Sequence, residues 1–137
     1  MKAKRPACPG SKSTWTTAGI CILDLFNPRL DFLARDPEKR HPVVDYEDPD
    51  GGGTVVLTEN NVYDAATQIN RAKWYYRIGD GEEFVRDVDV QVIYPREIDA
   101  LLKYNGFELL RKFGDYGGGE FRSDSPRMVM VCRAADK

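Results

Sequence analysis

Met128-Val129-Met130-Val131-Cys132 is apolar at every position, and a strand without polar alternation reads as one buried on both faces at the middle of a sheet. Everything near it has to supply a neighbour or a cover. The stretch before it, Pro95 to Asn105, has Ile98, Leu101, Leu102 and Asn105 at spacings of three and four, which predicts a short amphipathic helix. Pro95 suits the first helical turn, where its missing N–H would have had no partner, and Glu97 falls near the positive end of the helix dipole. Asn105-Gly106 stops the helix. A strand from Phe107 to Phe113, a glycine-rich connection from Gly114 to Pro126 and a strand from Arg127 to Arg133 follow.

The run "YPREIDALLKYNGFELLRKFGDYGGGEFRSDSPRMVMVCR", together with "ILDLFNP" at Ile22 to Pro28, resembles the C-terminal part of class I S-adenosylmethionine-dependent methyltransferases. In that family a "P-x-E-L/I-x-x-L-L-x-x-x-G-F" pattern forms the last helix and enters the sixth strand, and an "S-P-x-x-x-x-V" segment enters the seventh. The resemblance spans roughly residues 19 to 134. It implies an α+β fold, a partial version of the class I methyltransferase α/β architecture: a mixed sheet with an antiparallel meander and one main helix. Absent are a "D/E-x-G-x-G-x-G" loop after a first strand and an acidic ribose-binding residue after a second. The chain is therefore expected to keep the family's fifth, seventh and sixth strands and to lack the N-terminal, cofactor-binding half. S-adenosylmethionine is the cofactor that the family implies, and it is not expected to bind this chain alone.

At 137 residues the chain can bury about two-thirds of its unfolded surface, enough for a single core. The expected organisation is a disordered basic tail over residues 1–17 and one methyltransferase C-terminal-like domain over 18–137. A content of 42% apolar and 31% charged residues argues against wholesale disorder and against a disulfide scaffold. The net charge of −2 gives no electrostatic reason to expect nucleic acid. Cys8, Cys21 and Cys132 lack a C-x-x-C spacing and read as reduced thiols, which makes a cytoplasmic location the simplest inference. No apolar run approaches the roughly 18 residues needed to span a bilayer, so no membrane association is expected.

Ala18 to Phe26 is nearly continuously apolar and reads as a strand buried on both faces, ended by Asn27-Pro28. Having lost its family neighbour, Ile20 to Leu25 is expected to pair with a copy of itself, as a homodimer, or with a chain supplying the missing half. Arg29 to Asp50 reads as polar and proline-broken, with one helical turn at Leu30 to Ala34. Asp45, Glu47, Asp48 and Asp50 crowd together but do not match an EF-hand loop, so a solvated acidic loop is favoured over a metal site. His41, the sole histidine, reads as a surface residue.

Thr54 to Tyr94 reads as an antiparallel meander. Asp64 to Ala72 has residues that would tolerate a helical turn, and Val88, Val90, Val92 and Tyr94 give the clearest half-buried alternation. The family places a substrate-side sheet here, so the resemblance makes Tyr63, Gln68, Trp74 and Tyr76 candidates for substrate binding. Aromatic rings offer rigid contact area for an apolar or cationic group, although aromatics at such positions also pack across strands. The glycine-rich loops at Gly79 and Gly114 join strands and are acidic, which disfavours a phosphate role. No nucleophile elbow, zinc motif or Cys–His pair is present, so catalytic residues stay unassigned. Asp24 and Glu97 lie near where family sites would fall, and either could equally be satisfied by backbone amides. The functional reading is a substrate-side methyltransferase-like domain that is not catalytic alone. The alternative is a non-enzymatic small-molecule-binding or dimerisation module derived from that fold, and an unrelated α+β domain is a third.

Overall fold

A computed structural model describes residues 19–136, so the basic tail expected over residues 1–17 lies outside the described residues. These residues form two compact units. One joins residues 19–27 to 94–136, and the other is Pro28–Ile93.

In the first unit, β1 (Ile20–Phe26), β6 (Phe107–Phe113) and β7 (Arg127–Ala134) make a sheet ordered β1-β7-β6, with both ladders antiparallel. The unbroken apolar run therefore does take the central place. Met128, Met130 and Cys132 are fully buried, at 0% exposure, and Leu25, Leu23 and Cys21 stand opposite them on the same face. That face is covered by α2 (Pro95–Tyr104), which buries Ile98 and Leu102. Lys112, opposite Met130, reaches the helix and donates to Pro95 O (3.2 Å) and to Asp99 Oδ1 (2.5 Å). Glu97 accepts the Tyr94 N–H at 3.1 Å, closing the first turn of α2. Gly106, at φ +76°, provides the left-handed residue that ends it.

The second face of this sheet corrects the reading of β1 as buried on both sides. Ile22 and Phe26 are each 66% exposed, and Ile20 lies on the same face. An edge strand has one neighbour to shield it, and no element of this unit covers that face as α2 covers the other. The same limit leaves Val129 and Val131 of the central strand half-buried. Apolar composition alone does not report which face finds a cover.

At the end of β1, buried Asn27 donates through Nδ2 to Ser125 O at 2.8 Å and Ser123 O at 3.3 Å, while its N–H bonds Pro126 O. One asparagine thereby ties the first strand to the loop that enters the last. Gly114 allows this loop to close, since a Cβ there would meet Ser125 Oγ at 2.2 Å.

In the second unit, α1 (Leu30–Leu33) precedes a sheet ordered β2-β3-β4-β5, from β2 (His41–Glu47), β3 (Thr54–Asp64), β4 (Ile69–Ile78) and β5 (Glu83–Gln91). Every ladder here is also antiparallel. The expected single mixed sheet is thus two antiparallel sheets, and no parallel pair occurs among the described residues. β2 is a strand where the sequence suggested only a polar loop. It pairs with β3 despite Pro42 because it lies at the sheet edge, where a missing N–H is tolerated. The segment that would tolerate a helical turn instead becomes the end of β3, a tight turn at residues 65–68 and the start of β4. Long pairing on both sides overrides local propensity. The alternation of β5 survives as a strand but not as a half-buried one: it is the other edge, and its side chains except Val88 are exposed.

The acidic cluster around Asp48 is consumed by its own turn. Asp48 accepts the N–H groups of Asp50 (3.1 Å) and Gly52 (3.0 Å), and Glu47 accepts the Thr54 hydroxyl (3.0 Å).

The two faces of β1 and β7 differ enough to be separated by substitution. Met130→Ala is expected to lower unfolding free energy by about 2–5 kcal/mol. Ile22→Ala should cost about 0.5 kcal/mol or less, as on exposed surface. Urea unfolding followed by circular dichroism measures both, and equal losses would contradict the assigned faces.

Candidate functional site

One face of the four-stranded sheet carries the side chains that alternate inward from β3: Val55, Leu57, Glu59 and Asn61, all buried. Two are polar. Strand pairing places Trp74 and His41 on either side of Glu59, Tyr76 beside Leu57, Ala72 beside Asn61 and Asn70 beside Tyr63. Buried polar groups require partners, and here they find one another. Arg35, just beyond α1, donates to Glu59 Oε1 at 2.7 Å and to Asn61 Oδ1 at 2.6 Å. Trp74 Nε1 donates to the second Glu59 oxygen at 2.9 Å, and Asn61 Nδ2 to Asn70 Oδ1 at 2.9 Å. The Arg35 guanidinium also lies 4.0 Å from the centre of the Phe32 ring.

This network spends the carboxylate on support. With both oxygens of Glu59 engaged, it fixes the indole of Trp74, whose ring meets Tyr76 edge-on at 6.3 Å between centroids. A fixed aromatic row can receive the flat or apolar face of a ligand. His41 enters this row next to Glu59, and its Nε2 is buried without a hydrogen-bond partner among the described residues. It is a part-buried member of a sheet, not the surface residue the sequence suggested, because the strand that carries it was hidden by Pro42.

Of the four substrate-binding candidates, Trp74 and Tyr76 meet on this face, and Tyr63 lies on the same face at the far end of β3, opposite Asn70. Gln68 is placed differently. It occupies the turn between β3 and β4 at φ +55°, donates through Nε2 to Val92 O at 3.0 Å and accepts the Val92 N–H at 2.7 Å. Sequence reasoning passed over Arg35, Glu59, Asn61 and Asn70. The available signal was that the β3 residues continuous with Val55 and Leu57 become polar, which marks a buried polar patch only once the face is known.

A second polar cluster lies in the three-stranded unit. Asp24 accepts from Arg127 Nε at 2.7 Å and from the Tyr116 hydroxyl at 2.6 Å. Arg127 lies over the rings of Phe26 (4.7 Å) and Tyr116 (5.2 Å). Hydrogen bonds from Arg127 and then Tyr116 hold the Asp24 carboxyl below its usual range, and the bond to Asp24 raises the Tyr116 hydroxyl. The cluster pins the glycine-rich loop of Tyr116 to the edge strand. Glu97, the other carboxylate singled out from sequence, is engaged at the start of α2.

No group of side chains suited to hold a metal ion occurs among the described residues. No described helix is long and apolar enough to cross a membrane.

Two outcomes check these clusters. Glu59→Gln removes the charge that Arg35 faces in a partly buried pair and is expected to cost about 3 kcal/mol, whereas Lys73→Ala at the exposed Asp87 pair should cost under about 0.5 kcal/mol. Because the folded-state pKa of Asp24 is depressed, its contribution is present above the unfolded carboxylate pKa and lost as pH falls through the folded value. Asp24→Asn should therefore flatten the acid limb of stability, as read by urea titration across pH.

No protein-family model matches the chain, and no curated protein matches it. Solved structures do. The chain is similar to the CcbJ methyltransferase from Streptomyces caelestis at 24% identity and a TM-score of 0.68, over 85% of this chain and 47% of that one. An S-adenosylmethionine-dependent methyltransferase from Clostridium acetobutylicum matches at 15% identity and a TM-score of 0.62, over 86% and 45%. The sugar N-methyltransferase KedS8 from Streptoalloteichus matches at 17% identity and a TM-score of 0.52, over 88% and 44%. The fold is thus methyltransferase-like, and the chain spans somewhat less than half the length of the structures it matches.

Proposed function

We propose that this chain is the substrate-side, C-terminal portion of a methyltransferase-like domain and that it does not catalyse methyl transfer alone. The observation that carries the reading is the match of some 85% of this chain to less than half of solved methyltransferases. The sheet order β1-β7-β6 followed out from a helix that begins at proline supports it, being the order that the sequence resemblance implies. In this reading the aromatic row of Tyr63, Trp74 and Tyr76 bears the methyl acceptor, with the Arg35–Glu59 network holding the indole in place. A sugar or another compound with an apolar ring face is the acceptor class that such a surface suits, and one of the similar structures is a sugar N-methyltransferase.

The described residues do not fit S-adenosylmethionine. A nucleoside with a charged amino-acid tail needs a loop passing from a strand into a helix, whose amides receive the ligand, and a carboxylate for the ribose. The described glycine-rich connections, at Gly51–Gly53, Gly79–Gly81 and Gly114–Gly119, all join one strand to another. We infer that the cofactor is held elsewhere, by a second, different chain, and that the outer edge of β1 pairs with that chain or with a copy of this one. That edge has no strand beside it among the described residues, and its strand exposes Ile20 and Ile22.

Titration calorimetry with S-adenosylmethionine and S-adenosylhomocysteine tests the reading on folded, concentration-checked protein. No heat above dilution is expected. Micromolar binding would overturn the assignment of the cofactor site to another chain. Sedimentation at micromolar concentration is expected to give a dimer that Ile22→Lys weakens, and a strictly monomeric profile would remove self-pairing of β1.

A further inference from the structure

We propose that Cys21 and Cys132 form a reversible disulfide across the β1–β7 ladder, which makes this pair a thiol-modification site. Both are free thiols in the structure, and they are register partners, directly opposite on adjacent antiparallel strands with side chains on the same face.

The phase of the ladder sharpens the geometry. Asn27 N–H bonds Pro126 O, continuing the register in which Phe26 faces Arg127. Narrow, hydrogen-bonded pairs recur every second residue, so they fall at Leu25–Met128, Leu23–Met130 and Cys21–Cys132. On the other side of β7, Arg127 N bonds Gly114 O and Ala135 N bonds Gly106 O, so the odd-numbered residues turn to β6 and the even-numbered ones to β1. Cys21 and Cys132 therefore occupy a hydrogen-bonded pair, whose Cα atoms stand about 5.5 Å apart. That lies inside the span of about 4.4–6.8 Å that a disulfide bridges. Opposed Cβ atoms in such pairs are up to about 5.5 Å apart, and a disulfide wants about 3.5–4.5 Å. Closing the bond draws the strands together, and a bond formed under that tension is readily reduced. The pair is suited to switching, not to permanent stapling.

The two thiols differ in access. Cys132 is fully buried, and burial pushes its thiol up, with the neighbouring Cys21 adding to the rise. Cys21 is only half-buried and meets an oxidant first. With oxidised glutathione, the Cys21 thiolate attacks one sulfur of the reagent, forming a mixed disulfide and releasing one glutathione thiolate. Cys132 then gives its proton to solvent, and its sulfur attacks Cys21 Sγ, expelling the second glutathione. Two protein thiols are oxidised to one disulfide, and one glutathione disulfide is reduced to two thiols. The product fastens β1, an edge strand held by one neighbour, to the centre of its sheet.

The test uses the full chain carrying Cys8→Ser, so that the third cysteine cannot exchange. The protein is equilibrated in buffers of varied oxidised-to-reduced glutathione ratio, acid-quenched, denatured, alkylated and analysed by peptide mass spectrometry. A linked peptide pair containing Cys21 and Cys132 is expected to appear, in protein that migrates as a single chain under denaturing, non-reducing conditions, as the ratio rises and to vanish on adding dithiothreitol. The urea midpoint should rise on oxidation, and adding Cys21→Ser should abolish both the linked pair and the rise. Alkylation of both cysteines at every ratio, or a Cys21–glutathione adduct that never resolves, would overturn the proposal. Linkage found only between two chains would overturn it as well.

Discussion

The insertion of β7 between β1 and β6 is the constraint on which the three-stranded unit depends. A central strand must satisfy its backbone on both sides, and β7 alternates: even-numbered residues bond β1 and odd-numbered residues bond β6. The same alternation sends Met128, Met130 and Cys132 to the face that α2 covers. Once β7 is in place, Asn27 and Asp24 have something to hold. Asn27 closes the entry loop, and Asp24 receives Arg127 from the next strand together with Tyr116 from the glycine-rich loop.

The four-stranded unit solves a different problem. Its covered face is not wholly apolar, and a charge there is tolerable because its partners are supplied from outside β3: Arg35 from beyond α1, and Trp74 and, through Asn61, Asn70 from β4. Such a network fixes the orientation of the aromatic row more narrowly than apolar packing would. The opposite face is ordinary solvated sheet, with Lys73 paired to Asp87 and Arg40 to Glu83 over the Tyr75 ring.

The helix from Pro95, the strands from Phe107 and Arg127, and the helical turn at Leu30 were legible because period, proline and glycine each act within a few residues. The fold resemblance was legible for a similar reason, since the order of these signals along the chain is itself informative. What failed was anything that depended on a neighbour. β1 and β5 looked half or fully buried by composition, yet both are edges. β2 looked like a broken loop, yet an edge position accommodates its proline. Among the substrate candidates, Tyr63, Trp74 and Tyr76 share a face because strand alternation is local, while Gln68 lies in the turn at φ +55°, tied to Val92 by its side chain and backbone.

Sequence by itself determined the element types near the C-terminus and the central position of the apolar strand, both of which are written in spacings of a few residues. Only the tertiary structure decided that both sheets are antiparallel throughout, which face of each strand is covered, and that Glu59, Arg35 and Trp74 meet. These outcomes belong to pairing between distant segments, where the free energy comes from partners that no local window contains.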